Sequence, residues 1–223
     1  MKLVLASQGF TTPEIAQATA DLVGKPLDEL SVAIINEAYV AIAGSRDQSW
    51  LINELAQLKK YATGSLLFVN LRAYDISEVE DRLSSADLIY IVGGAQLVLP
   101  KLFKETGFDT LLAELAESKV ILGTSAGANV LGAHIQNREY WADQYGDADT
   151  YLAAPSLGLV GFNILPHYER EDHPRRNKTI LTPLLKDNPF PLYGVTDTQA
   201  VIYKDGKLEF VGGNPVKFGR DKQ

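Results

Sequence analysis

A serine set among small residues, Gly123-Thr124-Ser125-Ala126-Gly127, is the strongest chemical signal in the chain. It directly follows an apolar run, Lys119–Ser125, and opens a helix-period segment over Ala126–Gln136. A nucleophile elbow needs this strand–turn–helix context, because small neighbours let a sharp, strained turn present the hydroxyl at the strand's C-terminal end. The N–H of Ala126, at the start of the helix, would then face a developing oxyanion. The same letters also suit a plain glycine-rich turn whose serine caps the helix.

A serine hydroxyl is inert without a base. The chain holds three histidines, and they differ in context. His134 falls within the predicted helix after the elbow. His173 lies among carboxylates in Glu171-Asp172-His173-Pro174 and reads as solvated loop. His167, in Leu165-Pro166-His167-Tyr168, follows an apolar strand and so reaches the edge where open α/β sheets bind ligands. A carboxylate should orient the imidazole. Asp197, in Gly194-Val195-Thr196-Asp197-Thr198, ends the next apolar strand at the same edge, whereas Asp172 is too close to His167 along the chain. A second oxyanion donor is expected from another strand end. The pair Gly93-Gly94 closes Leu88–Val92 in that way, with Gly94 offering its amide.

Stepping along the chain, five apolar runs read as strands: Lys2–Ser7, Val32–Ala38, Ser65–Leu71, Leu88–Gly94 and Lys119–Ser125. Their near-continuous Val, Ile and Leu content suits parallel strands covered on both faces. Between them lie helix-period segments at Pro13–Val23, Asp47–Tyr61, Ser77–Leu83 and Phe108–Glu117. Such alternation predicts an α/β class, a doubly wound, mostly parallel sheet with helices on both faces. After the elbow helix come a polar, aromatic loop through Tyr151, a strand over Phe162–Leu165, a helix over Asn177–Lys186 and a strand over Leu192–Thr196. A C-terminal β-hairpin, Ala200–Tyr203 and Lys207–Val211 around Asp205-Gly206, closes the pattern. One domain over residues 1–223 is expected.

Composition excludes several classes. With no cysteine there is no disulfide, thiolate zinc site or cysteine nucleophile. A net charge of −7 argues against nucleic acid as a partner. No apolar run reaches membrane-spanning length, and the segment Met1–Phe10 falls short of a secretory leader, so a cytoplasmic protein is expected. Scattered histidines without an acidic cluster give no metal site, and nothing calls for a cofactor.

The order Ser…His…Asp, the elbow Gly-Thr-Ser-Ala-Gly-Ala, the upstream Gly-Gly strand end and Pro-His-Tyr after the sixth strand resemble the dipeptidase E and cyanophycinase family. These are serine peptidases on the class I glutamine-amidotransferase-like fold. The resemblance implies Ser125 as nucleophile, His167 as general base, Asp197 as the acidic third residue, and the amides of Gly94 and Ala126 as the oxyanion hole. It further implies a short peptide substrate, an acyl-enzyme and a preference for an N-terminal aspartate. A monomer or homodimer is expected. Two departures stand out. Dipeptidase E carries Glu where this chain has the shorter Asp197, and Ala95-Gln96 follow the strand-end glycines where the family commonly has Gly or Asn. The family also places a specificity arginine soon after the histidine; of Arg170, Arg175 and Arg176, the last falls best on that position. Two other readings stay open: an α/β-hydrolase esterase, whose order Ser…Asp…His would draw on Asp143–Asp149, and a non-peptidase binding member of the amidotransferase-like fold. Amidotransferase activity itself is excluded by the missing cysteine.

Overall fold

Strand residues that alternate between two apolar neighbourhoods set the layers of this protein. The computed structural model describes residues 1–40 and 47–220. In β1 (Lys2–Ala6), Leu3 and Leu5 pack into one core while Val4 and Ala6 pack into the other. The same division holds for β2 (Val32–Ile35), β4 (Leu88–Ile91) and β5 (Val120–Thr124), all fully buried. With β3 (Leu66–Phe68) at one edge, these strands run parallel in the order β3-β2-β4-β5-β1. The hairpin β8 (Ala200–Lys204) and β9 (Lys207–Val211) extends that sheet, β8 pairing antiparallel with β1. Seven strands result, mostly parallel, with the hairpin where the sequence puts it.

Helices α1 (Pro13–Val23) and α3 (Ser49–Tyr61) cover one face. Thr12 caps α1 through its side chain, and Pro13 occupies the first helical position. On the other face lie α4 (Ile76–Ser84), α5 (Val98–Thr106), α6 (Phe108–Leu115) and α7 (Ala126–Leu131). A four-residue helix, α2 (Glu37–Val40), follows β2. None of these helices is long and apolar enough to cross a membrane, among the described residues.

Several sequence expectations are corrected. The two later strands, β6 (Asn163–Pro166) and β7 (Leu192–Val195), leave the main sheet and pair parallel with each other. With β10 (Val216–Phe218) they form a separate three-stranded sheet, because β8 has taken the free edge of β1. The stretch read as polar, aromatic loop holds two short helices, α8 (Arg138–Tyr145) and α9 (Ala148–Leu152). Side chains of Asn137 and Asp147 accept the Tyr140 and Thr150 amides and start them. Together with α10 (Lys178–Leu185), α8 packs against the second sheet.

The elbow helix ends at Leu131, five residues short of the expected Gln136. At Gly132 the backbone turns extended and presses against the Asn163 side chain. Asn163, itself buried, donates to the carbonyls of Asn129 and Ala133 and accepts from the Asn129 amide. A Cβ at position 132 would lie 2.5 Å from Asn163 Cγ. Gly132→Ala should therefore destabilise the fold by about 1–3 kcal/mol, the usual range for overpacking. Urea denaturation midpoints test this; an unchanged midpoint would mean that Asn163 moves aside freely.

Candidate active site

The elbow forms at the junction of β5 and α7. Ser125 has φ 50 and ψ −113, a conformation that costs an L-residue energy and persists only when surroundings enforce it. Its N–H donates to Ala6 O of β1 (3.0 Å), and its carbonyl accepts from Asn129 N (3.0 Å). Close backbone approach explains the flanking glycines. A Cβ at Gly123 would sit 2.3 Å from Gly127 O, and one at Gly127 would sit 2.2 Å from Ile91 O.

His167 follows β6 and is also held at positive φ, 57°. Its Nε2 lies 3.0 Å from Ser125 Oγ, and its Nδ1 lies 2.7 Å from Asp197 Oδ1. With Nδ1–H donating to the carboxylate, the Nε2 lone pair faces the serine hydroxyl. The sequence thus put three residues on three strand ends, and the structure brings all three into one hydrogen-bonded line. Ala126, Gly93 and Gly94 line the same cavity of about 590 Å³.

Burial pushes the His167 imidazole below the usual histidine range, and the hydrogen bond and charge of Asp197 oppose that shift. Burial would raise the Asp197 carboxyl, yet hydrogen bonds from His167 and Ser7, and a further one from Arg170, outweigh it and hold the group well below the usual carboxylate range. The carboxylate is therefore fixed in its charged form, and the imidazole stays neutral near pH 7, the state a base needs.

Two partners of this line escaped the sequence reading. Ser7, fully buried just beyond β1, donates to Asp197 Oδ1 at 2.5 Å and accepts the His167 backbone N–H at 2.7 Å. Strand register, which the sequence does not disclose, places it: Ala6 pairs with Thr124 and so puts Ser7 beside Ser125. Arg170 donates from Nη1 to Asp197 Oδ2 at 3.0 Å and also pairs with Asp172. His173 is not free loop either: it lines the cavity with its ring 5.0 Å from that of His167. His134 lies beyond the end of α7 rather than within it and contacts Leu152 O at 3.3 Å.

Arg176 lines the cavity while only 8% exposed, so it is no solvated surface cation. Its guanidinium donates to Pro166 O (2.7 Å), the Tyr145 hydroxyl (2.7 Å) and Gln144 Oε1 (3.4 Å), all neutral acceptors. Arg175, by contrast, pairs with Asp143 at the surface.

The sequence pattern of peptidase family S51 matches residues 6–211. The chain belongs to peptidase family S51. This is the family to which the motifs pointed, and it displaces the α/β-hydrolase reading. An uncharacterized peptidase of Listeria monocytogenes is 30% identical over 115 residues, covering 51% of this chain and 56% of the relative. One from Pasteurella multocida is 24% identical over 147 residues, covering 66% and 69%. Alignments with the two Listeria relatives thus span only 56% and 63% of their lengths. Among solved structures, a candidate peptidase E from L. monocytogenes superposes with a TM-score of 0.72 at 21% identity, covering 94% of this chain and 96% of that one. A peptidase from an acI-B1 Actinobacterium gives 0.67 at 19% identity, covering 98% and 93%. Both structures share the fold described above.

The electrostatics of the line can be measured. By NMR titration the His167 midpoint should fall below that of a free histidine, about 6.5. Arg170→Ala should raise it, because the guanidinium both repels an imidazolium and competes for Asp197; Asp197→Asn should lower it further. A His167 midpoint that Arg170→Ala lowers or leaves unmoved would contradict this electrostatic ordering.

Proposed function

We propose that the protein is a serine peptidase that hydrolyses short peptides through an acyl-enzyme, with Ser125, His167 and Asp197 as its triad. Ser125 Oγ attacks the scissile carbonyl carbon while its proton passes to His167 Nε2. The amides of Gly94 and Ala126 receive the oxyanion, aided by the N-terminus of α7. Imidazolium then protonates the leaving amine, which departs as the acyl-enzyme forms. Water, deprotonated by His167, releases the acyl group and restores the serine. Asp197 holds the imidazole in the required tautomer and stabilises its cation.

The observation that supports this reading most is the unbroken line Ser125 Oγ–His167 Nε2 (3.0 Å) and His167 Nδ1–Asp197 Oδ1 (2.7 Å) at the floor of an open cavity. Membership of a peptidase family supports the substrate class. For the residue preferred, Arg176 is the supporting feature. It is a cation held in place by neutral acceptors, so it can offer an uncompensated charge to a ligand carboxylate. An N-terminal aspartate is the substrate residue that fits this charge.

Two measurements check the proposal. A fluorophosphonate should label Ser125, and Ser125→Ala or His167→Ala should lower kcat by several powers of ten, with a smaller loss for Asp197→Ala. Peptide hydrolysis by Ser125→Ala at near wild-type rate would overturn the mechanism. For specificity, Arg176→Ala should lower kcat/KM on Asp-X peptides by about 30- to 1000-fold and spare Ala-X peptides. A uniform drop on both would make Arg176 a structural residue, and a wild type indifferent to aspartate would end the aspartyl preference while leaving the peptidase reading intact.

A further inference from the structure

The cavity that Arg176 lines also holds a buried carboxylate that the mechanism does not use. Glu54, on α3, is only 4% exposed and lines the cavity. Both of its hydrogen bonds fall on one oxygen: the Tyr90 hydroxyl donates to Oε1 at 3.0 Å and Thr124 Oγ1 donates to Oε1 at 2.8 Å. Among the described residues nothing bonds to Oε2. The other carboxylates that line the cavity, Asp47 and Asp172, and the neighbouring Asp197 are engaged on both oxygens. Asp47 accepts from the amide and hydroxyl of Ser49. Asp172 accepts from Arg170. Asp197 accepts from Ser7 and Arg170 as well as His167. Glu54 alone of these keeps a free acceptor.

Its position narrows what it can bind. Thr124 precedes the nucleophile, and its Oγ1 also accepts the N–H of Gly93 at 2.9 Å, so Glu54 is tied to both backbone segments that flank the reacting carbonyl. In an N-terminal residue the α-ammonium sits two bonds from that carbonyl carbon. A carboxylate that reads it must therefore stand beside the nucleophile and not farther along the cavity. An uncompensated cation and a half-satisfied carboxylate lining one cavity match the two charges of an unblocked N-terminal residue that carries an acidic side chain.

We propose that Glu54 Oε2 binds the α-ammonium of the substrate, which makes the site selective for peptides with a free N-terminus. This inference rests on the peptidase reading above, with the N-terminal residue on the acyl side. Burial pushes the Glu54 carboxyl up, while the hydroxyls of Thr124 and Tyr90 oppose that shift; an arriving ammonium favours the charged form and stabilises it further. A charge-assisted bond of this kind is among the strong ones.

Binding can be tested without turnover. In the Ser125→Ala protein, calorimetry with Asp-Leu and succinyl-leucine, which differ only by the ammonium, should show Asp-Leu binding about 10- to 100-fold tighter. Ala-Leu against propionyl-leucine should give a similar ratio even without aspartyl preference. Adding Glu54→Gln should bring both ratios close to one, mainly by weakening the amine-bearing ligands. Tyr90→Phe, which removes a donor to Oε1 but leaves Oε2, should keep the ratios. Ratios near one in Ser125→Ala alone would overturn the assignment. So would equal weakening of both members of each pair by Glu54→Gln, or collapse of the ratios in Tyr90→Phe, since either would mark Glu54 as packing support. The peptidase reading fails separately, if wild-type protein cleaves none of the peptides and takes no fluorophosphonate.

Discussion

At the active site, the Asp197 carboxylate ties the two sheets together. Ser125 and Ser7 stand at the ends of β5 and β1 in the seven-stranded sheet, while His167 and Asp197 stand at the ends of β6 and β7 in the three-stranded one. Among the described residues no backbone ladder joins these sheets. What fixes their relative position at the site is a set of side-chain hydrogen bonds: Ser7 to Asp197, the His167 amide to Ser7, and Ser125 to His167. Because these groups are largely buried, each bond lost would leave a desolvated partner unsatisfied. The strained φ values of Ser125 and His167 fit this picture, since both are held by bonds that cross from one strand end to another.

Charge is arranged around that junction with economy. The protein carries a net −7, yet three arginines lie within the segment Arg170–Arg176. Arg170 is neutralised by Asp172 and Asp197, and Arg175 by Asp143. Arg176 is left buried among neutral acceptors. An unpaired buried cation is costly for folding. Its position in the cavity wall gives that cost a use: the charge is already oriented before a ligand arrives, so little ordering is needed on binding.

Much of this was legible in the sequence. The five parallel strands announced themselves as unbroken Val/Ile/Leu runs, and the strand–turn–helix around Ser125 followed from small residues between an apolar run and a helical period. His167 and Asp197 could be placed because each follows an apolar strand. What the sequence did not disclose was non-local. Nothing in Asn163–Pro166 or Leu192–Val195 says which sheet they join, since that depends on β8 having occupied the β1 edge. Helix α7 stops early because Asn163, some thirty residues on, packs against Gly132. Glu54 did leave a trace: it shares one helical face with Leu51 and Leu58, both buried, and a glutamate on an apolar stripe calls for a buried partner. Asn137 and Asp147 were likewise readable as helix caps within the stretch taken for loop.

The central claim is that a serine from one sheet and a histidine–aspartate pair from another act on a single carbonyl. The most direct test is a crystal structure of the protein after reaction with a fluorophosphonate. The expected adduct has phosphorus on Ser125 Oγ, a phosphoryl oxygen about 2.7–3.1 Å from the amides of Gly94 and Ala126, and His167 still bonded to Asp197. Phosphorus on another residue, or a phosphoryl oxygen turned away from both amides, would contradict it.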